Sequence, residues 1–280
     1  MARHNFILLV GLVAQPPKVI KNDETGEYIQ AICPVTVISG QRKAGNEDYS
    51  KYKLDNPVLV TGDANLCKAI SEWKPGDIVE VKGVLVTKNV NKKVTCSQCG
   101  KVHVNQGSSV FVRPIYTAIK NRNIGKKDVI PELRKNIEVS NVAIVLGTVC
   151  KQPEIYVSDK GLHVAQYPIA INRKYRIKED SMDIKTDYPY VKAYGKQADD
   201  DYKYLSVNDD ILIDGCLQTR EYEKKLECEC GAQTAYFDSS LEIIPYQTEY
   251  FLRTQSRVED EQENTETVSG ESIADQILKN

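Results

Sequence analysis

At 280 residues the chain exceeds the usual size of one domain, so two domains of roughly 120 residues each plus connecting segments are expected. Its apolar residues come in short Val/Ile-rich runs, none near the ~18 consecutive residues of a membrane span, and MARHNFILLVGLVAQPP breaks at Gln15 and two prolines, unlike a signal peptide. The net charge of −2 conceals an asymmetry: residues 1–130 hold 19 Lys/Arg against 11 Asp/Glu and residues 257–280 hold 2 against 7, so the overall balance does not exclude a polyanionic ligand.

In chain order the sequence reads twice. NFILLVGLVAQPP from Asn5 answers to NVAIVLGTVCKQP from Asn141, with Gly11 on Gly147 and Pro17 on Pro153. GDIVEVKGVLVTKN from Gly76 answers to NDDILIDGCLQTRE from Asn208, placing Gly83 on Gly215 and Thr87 on Thr219. KKVTCSQCG from Lys92 then matches KKLECECG from Lys224, and SSVFVRPIYT matches SSLEIIPYQT.

Each copy reads as about five strands, alternating or continuously apolar and bounded by Gly, Pro, Asn and Asp turns. In copy one ANLCKAISEW, from Ala64 to Trp73, has helical spacing after Asp63, a suitable N-cap, and so places a short helix between the third and fourth strands. The expected fold class is all-β: two tandem five-stranded Greek-key barrels, residues 1–119 and 139–253, each with that helix and a cysteine-bearing excursion between strands four and five. Residues 120–138 read as a linker, and residues 254–280, polar, acidic and without aromatics, as a disordered tail.

Copy two resembles the bacterial single-stranded DNA-binding protein family at separated places. NVAIVLGTVCKQPEI looks like the family's opening strand, and IAINRKY, Ile169 to Tyr175, like the strand ending in a stacking aromatic. TDYPYVKAYGKQAD, Thr186 to Asp199, is similar to its aromatic-Val-aromatic-Gly-Lys-x-Ala-acid signature, and GCLQTREY to its Gly-x-Leu-x-Thr-Arg-x-aromatic strand. The resemblance is strong over roughly residues 140–250 and weaker over 4–119. It implies oligonucleotide-binding (OB) barrels, a non-enzymatic, sequence-nonspecific role on single-stranded DNA in replication, recombination or repair, and a cytoplasmic, nucleoid-associated protein. It also implies an acidic tail that docks replication or repair proteins, and a homodimer that gathers four barrels.

Binding single strands regardless of sequence needs flat π-faces for bases and cations along the backbone. Of 16 tyrosines, 12 lie between Tyr156 and Tyr250. Tyr175, Tyr188, Tyr190, Tyr194 and Tyr222, beside Arg173, Lys174, Arg176, Lys192, Lys196 and Arg220, are the candidate platform of copy two. Tyrosine is also a good strand former, so a structural role competes at each position. Laid over the repeat, Tyr175, Tyr188, Tyr194 and Tyr222 fall on Gln41, Asp55, Thr61 and Val90, which offer no stacking face. Copy one instead offers Arg42, Lys43, Lys88, Lys92 and Lys93, with Tyr49 and Tyr52 in its long loop.

Eight cysteines are too few for a dense disulfide framework. Cys33, Cys67, Cys150 and Cys216 lie singly in apolar runs, as small hydrophobes do. Cys96-Ser-Gln-Cys99-Gly and Cys228-Glu-Cys230-Gly form Gly-flanked pairs at the same place in the repeat. Neither completes four ligands, so one Zn2+ shared between the copies by Cys96, Cys99, Cys228 and Cys230 is expected; a site local to copy one with His103, or reduced thiols or a labile disulfide, are the alternatives. His4 and His163 read as structural or solvent-facing, and the triplet Asp199, Asp200, Asp201 as solvated charge opening a short helix or loop. No phosphate loop, nucleophile triad or carboxylate cluster with metal spacing marks an enzyme. RNA binding, or an adaptor role with little nucleic-acid affinity, stand as the other functions.

Overall fold

The computed structural model describes residues 4–43, 46–159, 161–172 and 186–251; of 41–43 and 46–51 it describes the backbone only. In the first half β1 (Asn5–Leu12), β2 (Lys18–Lys21), β3 (Tyr28–Pro34), β4 (Val37–Lys43), β5 (Asn46–Asp55) and β6 (Val58–Thr61) precede α1 (Ala64–Ser71), followed by β7 (Ile78–Thr95) and β8 (Val102–Asn121). The second half runs β9 (Asn141–Val149), β10 (Glu154–Val157), β11 (His163–Asn172), β12 (Thr186–Asp187), β13 (Tyr190–Tyr194), α3 (Lys196–Tyr204), β14 (Asp210–Glu227) and β15 (Gln233–Phe251). No helix among the described residues is long and apolar enough to cross a membrane.

Both halves close their strands in one order. β9 pairs with β11, β11 with β13, β13 in parallel with β15, β15 with β14, and β14 with β9 again. In the first half β1, β7, β8, β6 and β3 follow the same circuit, again with one parallel step, and the bridge Leu12↔Thr36 closes it. The alternating burial of β1, with Ile7 and Leu9 inward, is what a β-branched strand with one covered face requires. α1 forms where expected, the Asp63 carboxylate accepting from the Leu66 N–H at 2.9 Å and satisfying one free donor of its first turn. Gly83 and Gly215 occupy the same point of β7 and β14, where a Cβ would meet the carbonyl oxygens of Arg113 at 2.7 Å and Ile244 at 2.2 Å.

The halves are joined through β1 and β9, which pair antiparallel with Ile7 opposite Ala143 at the centre. Asn5 faces Val145 and Leu9 faces Asn141, the same four-residue step from either end. Both asparagines are buried and do the same work: Asn5 bonds both backbone groups of Leu85, at 2.8 and 3.0 Å, and Asn141 both of Leu217, at 3.0 and 2.8 Å. A second reciprocal pair crosses the seam. Asp55 Oδ1 accepts from the Thr219 N–H at 2.9 Å while the Asn56 N–H reaches Thr219 Oγ1 at 3.2 Å. Asp187 Oδ1 accepts from the Thr87 N–H at 2.6 Å while the Tyr188 N–H reaches Thr87 Oγ1 at 2.9 Å.

That geometry corrects the repeat alignment by one residue. Asp187 answers to Asp55, so Tyr188 stands where copy one has Asn56, not Asp55; the strand registers likewise set Tyr190 on Val58 and Tyr194 on Gly62 rather than Thr61. Residues 120–138 hold more than a connection. β8 runs to Asn121 and α2 (Val129–Lys135) inserts Leu133, fully buried, against Val10, Ile38 and Ile78. The tail 254–280 lies outside the described residues.

Candidate nucleic-acid interface and four-cysteine centre

β7 with β8, and β14 with β15, extend as two long hairpins. Their bases belong to the strand circuits; continuous burial ends near Val86 in β7 and Leu217 in β14, and beyond those points both arms are largely polar, Val94 excepted. The arms lie against each other. Lys92 bridges to Asp238 at 3.2 Å and bonds the Phe237 carbonyl, Asn105 donates to Tyr236 Oη at 3.1 Å, and the Ser97 N–H donates to Thr234 Oγ1 at 3.0 Å.

A groove of three adjoining cavities of about 540, 360 and 260 Å³ runs beside the seam. The largest is walled by Tyr188, Tyr190, Tyr222 and Arg220, with Gln166 and Glu242 among its lining and Ser108, Ser109, Ser239 and Ser240 where the arms pass. Tyr188 and Tyr190 are 52% and 41% exposed, so both residues are accessible from solvent. Tyr222 is half-buried with the Lys224 ammonium 5.2 Å from its centroid, and Arg220 is exposed. The smallest cavity is the repeat-related one, with Asn56, Val58 and Val90 at the places of Tyr188, Tyr190 and Tyr222.

The other expected residues divide. Tyr194 is half-buried, its hydroxyl accepting from Gln218 at 3.4 Å, and burial raises its pKa; it lines none of these cavities. Lys192 is a correction: it is 4% exposed and lies 4.0 Å from the equally buried Glu242, so its charge is spent inside the fold and does not face a phosphate. Lys196 is exposed at the start of α3 and lines none of the three. In copy one Lys92 lines the groove, Lys93 is exposed, Lys88 is half-buried, and Tyr52 sits 4.7 Å from the Arg134 guanidinium of α2. Arg173, Lys174, Tyr175 and Arg176 lie outside the described residues, as do the side chains of Arg42, Lys43 and Tyr49. Gln166 and the Ser-Ser pairs also line the groove; in sequence the Ser-Ser pairs stand out as part of the repeat but not as site residues, and nothing there marks Gln166.

The acidic triplet is also corrected. Asp201 is fully buried, accepting from Tyr167 at 2.8 Å, Tyr250 at 2.7 Å and Gln197 at 2.8 Å; burial raises its pKa against those bonds. Asp199 meets His163 Nδ1 at 2.6 Å, so this histidine has the acidic neighbour that the sequence spacing concealed.

At the arm tips the two cysteine pairs meet. The sulfurs of Cys96, Cys99, Cys228 and Cys230 all lie within 4.8 Å of one another. Across the arms Cys96 is 3.7 Å from Cys230 and Cys99 is 3.6 Å from Cys228. A tetrahedral metal with ~2.3 Å bonds to four sulfurs has S···S edges of ~3.8 Å, so the spacing fits one ion. Gly100 and Gly231, at φ +71° and +83°, close the two turns. The N–H groups of Cys99 and Gln98 hold the Cys96 thiol down to about 6. At Cys228 the Cys230 N–H favours the thiolate, yet burial and the sulfurs of Cys230, Cys99 and Cys96 push it up to about 12. His103 Nε2, 3.2 Å from the Cys228 sulfur, stands beside the cluster.

With the groove and the cluster described, the comparison with known proteins finds a similar family for the second half. Residues 140–234 match the single-strand binding protein family. Over 85 residues the chain is 33% identical to "Single-stranded DNA-binding protein 1" of Staphylococcus aureus strain MSSA476, which is 30% of this chain and 53% of that protein. It is 34% identical over 85 residues to "Single-stranded DNA-binding protein" of Staphylococcus epidermidis, covering 63% of it. The chain thus spans about half to under two thirds of these relatives. The fold extends further: wild-type single-stranded DNA binding protein from Thermus aquaticus matches 90% of this chain and 95% of its own, with a TM-score of 0.56 at 16% identity. An all-β fold like that of this neighbour therefore extends over both halves, and the family model matches within the second.

Proposed function

We propose that this chain is a non-enzymatic protein that coats single-stranded DNA without regard to sequence, on the nucleoid, in replication, recombination or repair. One observation carries the reading: the part of the chain that matches the family contributes Tyr188, Tyr190, Tyr222 and Arg220 to one wall of the largest cavity. Open rings and a cation beside them are what stacked bases and a phosphate backbone require. In this reading the chain is two OB barrels, with copy two gripping bases and copy one, the more basic half, holding backbone by charge. The four-thiolate cluster holds one Zn2+, since tetrahedral sulfur suits zinc and carboxylates are absent from the cluster. The acidic tail serves replication or repair proteins, and two chains assemble as a homodimer, which a light-scattering mass of one chain refutes.

The test is a fluorescence-anisotropy titration with labelled poly-dT at two salt concentrations, competed with matched RNA. Saturable binding that weakens with salt and resists RNA is expected. No binding at low salt overturns the reading, and RNA winning the competition replaces DNA with RNA.

A further inference from the structure

We propose that the ion at the arm tips is a latch: by tying the two hairpins together it sets the width of the groove between them, so metal occupancy and single-strand affinity rise and fall together. This rests on the proposed function and adds a coupling that the barrels alone do not require.

Three observations support it. First, each arm contributes two thiols and neither can bind a tetrahedral ion alone, so the ion is by construction a cross-link between arms, and the short sulfur pairs run across the arms. Second, the other contacts described between the arms are mainly polar: Lys101 with Glu229 at 2.7 Å, Lys92 with Asp238 and the Phe237 carbonyl, Ser97 with Thr234, and Asn105 with Tyr236, with Val94 the one buried aliphatic side chain among the described residues of the outer arms. Exposed pairs of this kind add ~0–1 kcal/mol each and weaken with salt. Third, the 360 Å³ cavity has one wall from each arm, Val90 and Asn105 against Tyr222 and Lys224, and it adjoins the aromatic cavity through Ser108, Ser109 and Tyr222. Splaying the arms moves those walls apart.

Coupling of this kind is reciprocal: if the ion favours the arrangement that binds DNA, then DNA must slow or weaken loss of the ion. The buried circuits of β1 and β9 lie away from the tips, so removing the metal is expected to loosen the arms and leave the barrels folded.

The experiment uses the full chain. Metal content is measured as purified, the ion is stripped under reducing conditions with a strong chelator, and folding is checked by circular dichroism. Hydrogen exchange is followed in residues 88–106 and 222–237, and affinity for labelled oligo-dT by anisotropy; Cys99→Ser serves as a second route to the unlatched form. Expected are one zinc per chain, faster exchange in both arms, about 10-fold weaker DNA binding without metal, and slower chelation when oligo-dT is present. A folded, metal-stripped protein with unchanged exchange and unchanged affinity overturns the latch. So does a metal-free preparation whose four thiols are paired as disulfides. If the metal-loaded protein does not bind DNA, the proposed function and the coupling fall together, and metal content with arm exchange still decides whether the ion ties the arms.

Discussion

The two repeat-related cavities at the seam have the same address in their halves and different walls. One shows Tyr188, Tyr190 and Tyr222; the other shows Asn56, Val58 and Val90. The difference continues below the surface, where copy two keeps Lys192 and Glu242 at places that copy one fills with Val60 and Phe111. The two copies share what closes the strand circuit, the paired asparagines, the Asp–Thr clasps and the tight glycines, and differ at the cavity-lining positions. What is shared marks the fold, and what differs is where the proposed division of work has to lie.

The largest effect should come from the buried pair. Lys192→Ala leaves the buried Glu242 carboxyl without its partner and should destabilise the protein by ~3 kcal/mol or more, read by denaturant unfolding, with no change in the salt slope of DNA binding. Lys192→Val with Glu242→Phe, which copies the other half, should recover most of that stability. A salt slope that falls on the single change would mean that Lys192 touches DNA after all.

Next come the rings. Removing one stacked ring costs ~1–3 kcal/mol, so Tyr188→Ala with Tyr222→Ala should weaken single-strand binding roughly 30-fold or more in an anisotropy titration. A neutral result would reduce the resemblance of copy two to one of fold. The reverse exchange, Asn56→Tyr with Val58→Tyr, should tighten binding by ~1 kcal/mol if the smaller cavity lies on the same path. The smallest effect is expected from Lys92→Ala with Lys93→Ala. Lys92 is already engaged by Asp238, so the salt slope should fall by about 0.7, the value for one phosphate contact, and affinity only modestly.

Much of this was legible before any coordinates, and the reason is the repeat. Glycines, apolar strands and cysteine pairs recur at fixed offsets because they answer local demands, a turn or a close approach, that each copy must meet alone. The shared cysteine centre could be foreseen because two half-sets of ligands at one repeat position have an evident partner in each other. What stayed hidden depends on neighbours distant in sequence. Lys192 looks like a strand's exposed cation until β15 brings Glu242 beside it; the clue was that a Lys for Val and a Glu for Phe change together between copies. Asp201 reads as solvated charge because Tyr167 and Tyr250 approach it from strands on either side of it in the chain. The one-residue slip at Tyr188 is invisible in sequence because the clasp of Asp187 to Thr87 and the pairing of Asp187 with Ile171 fix the register there, and both partners are distant in the chain.

The pairing of β1 with β9 bears on how such a molecule can specialise. Separate barrels meeting through the same strands would part on dilution and would exchange partners at random, and every substitution would appear in all of them at once. Within one chain the two strands face each other at an effective concentration that dilution does not lower. The tyrosine-rich half therefore always has the more basic half beside it, in fixed proportion, and each can change in sequence without changing the other.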